Sequence, residues 1–82
     1  MNKILIELYV PVLNANYDVY VSATSSISDL EKMLVVAVED LCKRKCVSSA
    51  ARLYDFKSGK VFDKSKYVYE YKIGNGDKLM LI

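Results

Sequence analysis

Near the start of the chain every second residue is aliphatic, and the residues between them are of mixed character. Over Lys3–Val10 the alternation has a period of two, which predicts a strand with one buried face. Pro11–Asn16 contains a proline and two asparagines and predicts a turn. Because Tyr17–Val21 alternates again, the two segments are expected to form a β-hairpin.

A helix is predicted next. Ser26 or Ser28 would cap it, since each is followed by an acidic residue three positions later. The basic residues Lys43–Lys45 are expected in its last turn, where they complement the helix dipole. Apolar residues recur every three or four positions and form one stripe: Ile27, Leu30, Leu34, Ala37, Val38 and Leu41.

The second half of the chain predicts short strands separated by turns. The predicted strands are Arg52–Phe56, Lys60–Phe62 and Lys78–Ile82. Lys57–Gly59 and Gly74–Asp77 have turn composition. The polar stretch from 63 to 71 carries three tyrosines and is expected to be irregular with one helical turn. The predicted order is therefore a hairpin, a helix, two short strands and a final strand.

Length and composition predict one folded unit spanning residues 1–82. Hydrophobic residues make up 52% of the 82 positions, which excludes a disordered or low-complexity chain. The net charge of +2 is too small to require an anionic partner. No apolar run approaches the roughly 18 residues of a membrane span, so a cytoplasmic location without membrane insertion is expected.

The chain offers little for catalysis or metal binding. It has no histidine and thus lacks the commonest general base and metal ligand. Cys42 and Cys46 are expected to be free thiols, with redox sensing or a metal site in an oligomer as alternatives. The serine pairs at 25–26 and 48–49 are interpreted as cap and loop residues. We therefore expect a protein that is not an enzyme and has no metal or cofactor.

The order of elements resembles the α+β ubiquitin-like β-grasp fold, a four- to five-stranded mixed sheet packed on one main helix. The resemblance is carried by the early hairpin, the serine-capped helix at Ser26–Ile27, and Arg52–Leu53 leading to Lys57–Lys60. Val68, Tyr71 and Ile73 stand where such domains often carry the pattern Leu-x-x-Tyr-x-Ile ahead of the last strand. Within this superfamily, the ending Ile73–Ile82 resembles the bacterial YukD/EsaB proteins.

That resemblance implies an accessory or regulatory component of type VII secretion that acts by docking on another protein. Ubiquitin conjugation and sulfur transfer both need a flexible tail ending in Gly-Gly. Here the nearest glycines, Gly74 and Gly76, precede the last predicted strand. The expectation is therefore a protein-interaction module that is not conjugated.

The alternation also predicts which side chains face a partner. The face covered by the helix should hold Ile4, Ile6, Leu8, Val19, Val21, Leu53, Leu79 and Leu81. The opposite face should present the candidate protein-binding residues Leu5, Tyr9, Tyr54, Met80 and Ile82, together with Tyr20. Leu5, Met80 and Ile82 are expected close to Tyr54. A second copy of the chain and a different protein remain alternatives as the partner.

Two further surfaces are considered. Val36 falls opposite the apolar stripe of the helix and is a candidate for a separate contact on the helix side. The alternative function is a nucleic-acid-binding adaptor that uses Lys43, Arg44 and Lys45 with nearby tyrosines. Binding of this kind would depend strongly on salt.

Overall fold

The computed structural model describes residues 3–43, 47 and 50–82. Its elements are strand β1 (Lys3–Val10), strand β2 (Ala15–Ser22), helix α1 (Ile27–Cys42), strand β3 (Leu53–Asp55) and strand β4 (Lys78–Leu81), with short 3-10 turns at Pro11–Leu13 and Val68–Tyr71. The strands form one mixed sheet in the order β2-β1-β4-β3. The central pair β1 and β4 is parallel, and the two outer pairs are antiparallel. The predicted arrangement of one helix on a mixed sheet is confirmed.

The hairpin forms where the alternation predicted it. All eight residues of β1 pair with β2, from Lys3 opposite Ser22 to Val10 opposite Ala15. The connection is a 3-10 turn followed by Asn14, whose φ of 47° is left-handed. Asparagine tolerates this conformation better than most residues, which explains its position here.

Helix α1 begins at a capping serine. The Ser26 hydroxyl accepts a hydrogen bond from the Asp29 backbone N–H at 3.1 Å, so Ser26 rather than Ser28 is the cap. The helix ends at Cys42, and Lys43 follows in a left-handed conformation. Lys43 therefore lies after the last turn and not within it, because the chain has already left the helix there. Arg44 and Lys45 lie outside the described residues.

The buried stripe of α1 is shorter than predicted. Ile27, Leu30, Leu34 and Val38 are buried in the core, as the spacing indicates. Leu41 is 56% exposed, so its assignment to the buried stripe is wrong. It lies in the last turn, beyond the part of α1 that the core covers. Helical spacing fixes the direction of a side chain but not how far the covering sheet extends.

Glu31 is the charged residue that the described core buries. It is 4% exposed and lies within the apolar stripe. One carboxylate oxygen, Oε2, accepts a hydrogen bond from the buried Leu53 backbone N–H at 2.8 Å and lies 3.5 Å from Arg52 Nε. The other, Oε1, is 3.9 Å from Lys64 Nζ. Glu31 thereby ties α1 to the start of β3.

The very short strand predicted at Lys60–Phe62 is present only as a single bridge between Val61 and Tyr54. Two backbone hydrogen bonds flank the bridge, from the Asp55 N–H to the Lys60 carbonyl and from the Phe62 N–H to the Leu53 carbonyl. The chain turns tightly after β3, with Gly59 at a φ of 73°. Phe62 is buried, with its ring 4.7 Å from that of Tyr71. The Phe62 side chain therefore belongs to the core.

Residues 63–71 lie against the start of α1. The Val68 N–H donates to the Ser25 carbonyl at 2.9 Å, and the Ile27 N–H donates to the Lys66 carbonyl at 2.8 Å. Val68 is fully buried, and the predicted helical turn is present as a 3-10 turn. Since α1 packs on one face of the sheet, the 63–71 segment leaves the opposite face open.

Candidate protein-binding face

The two faces of the sheet separate as the alternation predicted. The residues assigned to the covered face are all buried or packed against the buried cluster. The other face, called the outer face here, carries the alternate residues of the same strands. The register of pairing determines which of those side chains are neighbours.

Three of the predicted residues lie in one row across the outer face. Tyr9 of β1 pairs with Met80 of β4, and Met80 pairs with Tyr54 of β3. Side chains at paired positions on one face are about 5 Å apart at Cβ, so the three are direct neighbours. Each is half-buried. The row therefore forms a continuous strip of two aromatic rings and one thioether.

Phe56 joins this strip although the sequence interpretation did not select it. Its backbone N–H donates to the Lys78 carbonyl at 3.2 Å, which brings it beside β4 just after β3 ends. The Phe56 ring meets the Tyr9 ring edge to face at a centroid distance of 5.9 Å, and 41% of the side chain is exposed. The signal was available, since Phe56 has the same parity as Tyr54 within the predicted strand Arg52–Phe56.

Lys78 lies among these rings. Its Nζ is 4.2 Å from the centroid of Phe56 and 5.4 Å from that of Tyr9, within reach of cation–π attraction. The same Nζ is 3.8 Å from a carboxylate oxygen of Glu7, which pairs with Lys78 across the parallel strands. Both side chains remain partly exposed. The outer face thus combines apolar rings with a cation and an anion at its centre.

Leu5 does not belong to this cluster, and the expectation that it lies near Tyr54 is wrong. Its neighbour on the outer face is Tyr20, and its backbone N–H donates to the Asn75 side chain at 2.8 Å. Four residues of strand, about 13 Å, separate it from Tyr9. The reason is register: the pairing of β1 with β4 begins at Glu7, because the Gly74–Asp77 turn occupies the space beside Leu5.

The remaining candidates lie at the margin or on another surface. Ile82 is exposed and follows Met80 by two positions, so it continues the outer face at its end. It is held there by backbone hydrogen bonds in both directions with Arg52, at 2.8 and 3.1 Å. Val36 is 66% exposed on α1, on the opposite side of the sheet, so it is not part of the outer face.

The acidic side chains of a cleft beside β3 and β4 are engaged in turns. This cleft, of about 260 Å³, is lined in part by Asp55 and Asp77. Asp55 accepts hydrogen bonds from the backbone and hydroxyl of Ser58, and Asp77 accepts one from the Gly74 N–H. Asp63, outside the cleft, accepts from the Ser65 N–H and hydroxyl, which lowers the pKa of its carboxyl. These three carboxylates therefore hold the turns that contain them.

The predictions on cysteine chemistry and on metal binding can be compared with the structure. Cys42 is disulfide-bonded, so the expectation of a free thiol is wrong at this position; Cys46 lies outside the described residues. In the part of the chain that the structure describes, no three cysteine or acidic side chains are grouped so as to hold a metal ion. No helix among those residues is long and apolar enough to cross a membrane.

Comparison with known proteins rests on structure. No protein-family profile matches the chain, and no curated protein is similar in sequence. Among solved structures, the ubiquitin-like domain of the Mycobacterium tuberculosis type VII secretion protein EccD1 superposes with a TM-score of 0.77. That alignment covers 100% of this chain and 99% of the other, at 9% identity. The UBL domain of Plasmodium falciparum Dsk2 gives 0.69, covering 96% and 95%, at 20% identity.

The fold is a ubiquitin-like β-grasp. Its strand order and helix position account for the match across nearly the full length of both neighbours. The MycP5-free ESX-5 inner membrane complex also contains a matching part, with a TM-score of 0.80 and 12% identity; all of this chain aligns with 21% of that one. The β-grasp of this chain thus resembles ubiquitin-like domains that include those of type VII secretion proteins.

Proposed function

We propose that residues 1–82 form one non-enzymatic, cytoplasmic protein-interaction domain that docks through the outer face of its sheet. The observation that carries the proposal is the strip of Tyr9, Met80, Tyr54 and Phe56 around Lys78. Aromatic and methionine side chains are enriched at the centres of protein interfaces. The described residues leave this strip open to solvent, on the face that α1 does not cover.

We propose further that the partner is a component of a type VII secretion complex. Support comes from the likeness in fold to the EccD1 ubiquitin-like domain and to a part of the ESX-5 inner membrane complex. Docking would be non-covalent and reversible.

The physical basis of docking is the removal of a half-exposed aromatic surface from water. Each square ångström of apolar area that a partner covers contributes about 25 cal/mol before the cost of association is subtracted. The Tyr9 and Phe56 rings already contact each other and Lys78 before a partner binds, and these contacts would limit their rotamers. Less side-chain entropy is therefore lost when a partner binds.

The test is affinity capture with the tagged full chain from native cytoplasm and detergent-solubilised membranes. Wild type is compared with Tyr54→Asp/Met80→Asp, which puts two carboxylates into the strip. A matched control, Val36→Asp/Tyr69→Asp, makes the same kind of change at two exposed positions away from the outer face. Type VII secretion components are expected with wild type and with the control, but not with the strip variant.

Other results would reject the proposal. Loss of capture only in the control variant would move the interface to α1 or to the 63–71 segment. Nucleic acid that co-purifies and is released by moderate salt would favour the adaptor that uses Lys43, Arg44 and Lys45. Circular dichroism of every variant separates a lost interface from a lost fold.

A further inference from the structure

The outer face is complementary to itself. The central strands β1 and β4 run parallel, with Glu7 level with Lys78 and Tyr9 level with Met80. On β1 stand the acid Glu7 and the aromatic ring of Tyr9. On β4, at the same two levels, stand the cation Lys78 and the thioether Met80. Each half of the face therefore carries the chemistry that the other half would bind.

We propose that the outer face binds a second copy of this chain, face to face. The two-fold axis runs along the strands, between β1 and β4. The inference rests on the proposed function only in taking the outer face as an interaction surface. Rotation about this axis lays β1 of one copy over β4 of the other without shifting the levels, because the two strands run in the same direction.

The rotation pairs unlike chemistry at each level. Glu7 of each copy faces Lys78 of the other, which gives four alternating charges at the centre. Tyr9 of each copy faces Met80 of the other, and sulfur–aromatic contacts of this kind are favourable. A symmetric interface in which the same patch serves both subunits is the commonest way for soluble proteins to dimerise.

Other two-fold arrangements of the same faces are less favourable. An axis across the strands at the level of Glu7 would place Glu7 on Glu7 and Lys78 on Lys78. Like charges placed directly opposite each other are destabilising. The axis along the strands also keeps the two sheets nearly aligned, which is a common geometry for packed sheets.

The size of the face predicts a weak dimer. Four strands about 4.8 Å apart, over the four residues of β4, give roughly 250 Å² per copy. Stable interfaces bury about 800 Å² per partner, so the dissociation constant is expected to lie in the high micromolar range. Dimer and docked partner would compete for the same face.

The test combines two charge-reversal variants, Glu7→Lys and Lys78→Glu, in sedimentation measurements from about 10 µM to about 1 mM. Wild type is expected to dimerise within this range. In a dimer of either single variant, positions 7 and 78 of the two copies carry the same charge and face each other at two symmetric places. The dissociation constant of that dimer is therefore expected to rise about tenfold or more. An equimolar mixture is expected to dimerise again, because one chain then carries two positive charges at positions 7 and 78 and the other carries two negative charges.

The mixture of the two variants distinguishes the proposed pairing of Glu7 with Lys78 between copies from a general effect of net charge on association. Within each variant chain the local pair stays broken, so only contact between the two chains restores complementarity. Asp40→Lys and Lys32→Glu, which reverse exposed charges on α1, serve as controls and should dimerise as wild type does. The double variant Glu7→Lys/Lys78→Glu should also dimerise, and circular dichroism verifies that each chain is folded.

A wild-type chain that stays monomeric to the highest concentration would overturn the inference, as would a mixture that gains nothing over its components. Either result is separable from failure of the proposed function. A monomer whose capture of secretion components is lost in Tyr54→Asp/Met80→Asp would leave that function standing. A dimer that captures no such component would support the inference and remove the function.

Discussion

Glu31 and Lys78 are both charged residues of the same fold, yet their surroundings differ. Glu31 lies on the buried side of α1, almost inaccessible to water. Its carboxylate accepts a hydrogen bond from the Leu53 N–H and lies near the side chains of Arg52 and Lys64. Lys78 lies on the outer face of the sheet, against two rings and the carboxylate of Glu7. The buried charge joins elements of the fold, whereas the exposed one shapes a surface.

The different roles of Glu31 and Lys78 follow from the free energy that each charged group would lose if its partners were removed. A buried carboxylate without partners has no water to replace them, so its contacts are required for folding. An ammonium group on the outer face returns to water at little cost. Substitution of Glu31 should therefore lower the free energy of unfolding strongly, and substitution of Lys78 only weakly. Partner binding should be affected more by substitution of Lys78 than by substitution of Glu31.

The largest effect is expected for Glu31→Ala, which should lower the free energy of unfolding by about 2 kcal/mol, measured by urea denaturation followed by circular dichroism. The variant leaves the buried Leu53 N–H without its acceptor. The estimate stays below that for a fully buried pair because Arg52 is partly exposed and regains water. Glu31→Gln retains an acceptor oxygen and should lose less; equal losses would mean that the hydrogen bond is not the cause.

Phe56→Ala should lower the free energy of unfolding by about 1 kcal/mol in the same assay. The ring is partly exposed, so the loss comes mainly from its contacts with Tyr9 and Lys78. The variant should also weaken partner capture, since it removes one end of the strip. A loss as large as that for Glu31→Ala would show that the outer face is part of the core.

The Glu7–Lys78 pair should contribute about 0.5 kcal/mol, because both side chains are partly exposed. A double-mutant cycle with Glu7→Gln and Lys78→Gln measures this coupling, and added salt should reduce it. A coupling above about 2 kcal/mol would mean that the pair is buried, as in the interface between two copies.

Val36→Glu should change the free energy of unfolding by less than about 0.5 kcal/mol, since the side chain points into solvent from the middle of α1. Thermal unfolding of the variant against wild type measures the change. A large loss would indicate that the helix is rotated from the orientation described, with Val36 in contact with the core.

Much of the fold was accessible from local patterns. The alternation in Lys3–Val10 and the apolar spacing after Ser26 each depend on residues that are close in sequence, and the structure confirms both elements. The predicted strand at Lys60–Phe62 is reduced to one bridge with Tyr54, because its partner β3 is itself only three residues long. Short strands lack the repeated signal that longer ones provide.

The candidate site was predicted in part. Parity assigned Tyr9, Tyr54 and Met80 to one face, and the pairing makes them neighbours. The odd or even position of a residue in a strand does not show which residues of the neighbouring strand it pairs with. Leu5 was therefore grouped with residues about 13 Å away. Phe56 carried the right parity but was not selected, and its contact with Tyr9 depends on the pairing of β3 with β4 through Phe56 and Lys78.

The sequence by itself determined the hairpin, helix α1 and the last strand, their order, and the face to which the strand side chains turn, because these depend on periods of two and 3.6 residues. Only the tertiary structure decided how far the sheet covers α1, and so why Leu41 is exposed while Glu31 is buried. It also decided the register between β1 and β4, which brings Lys78 to Glu7. Register and coverage depend on residues that are distant in sequence, and no local period encodes them.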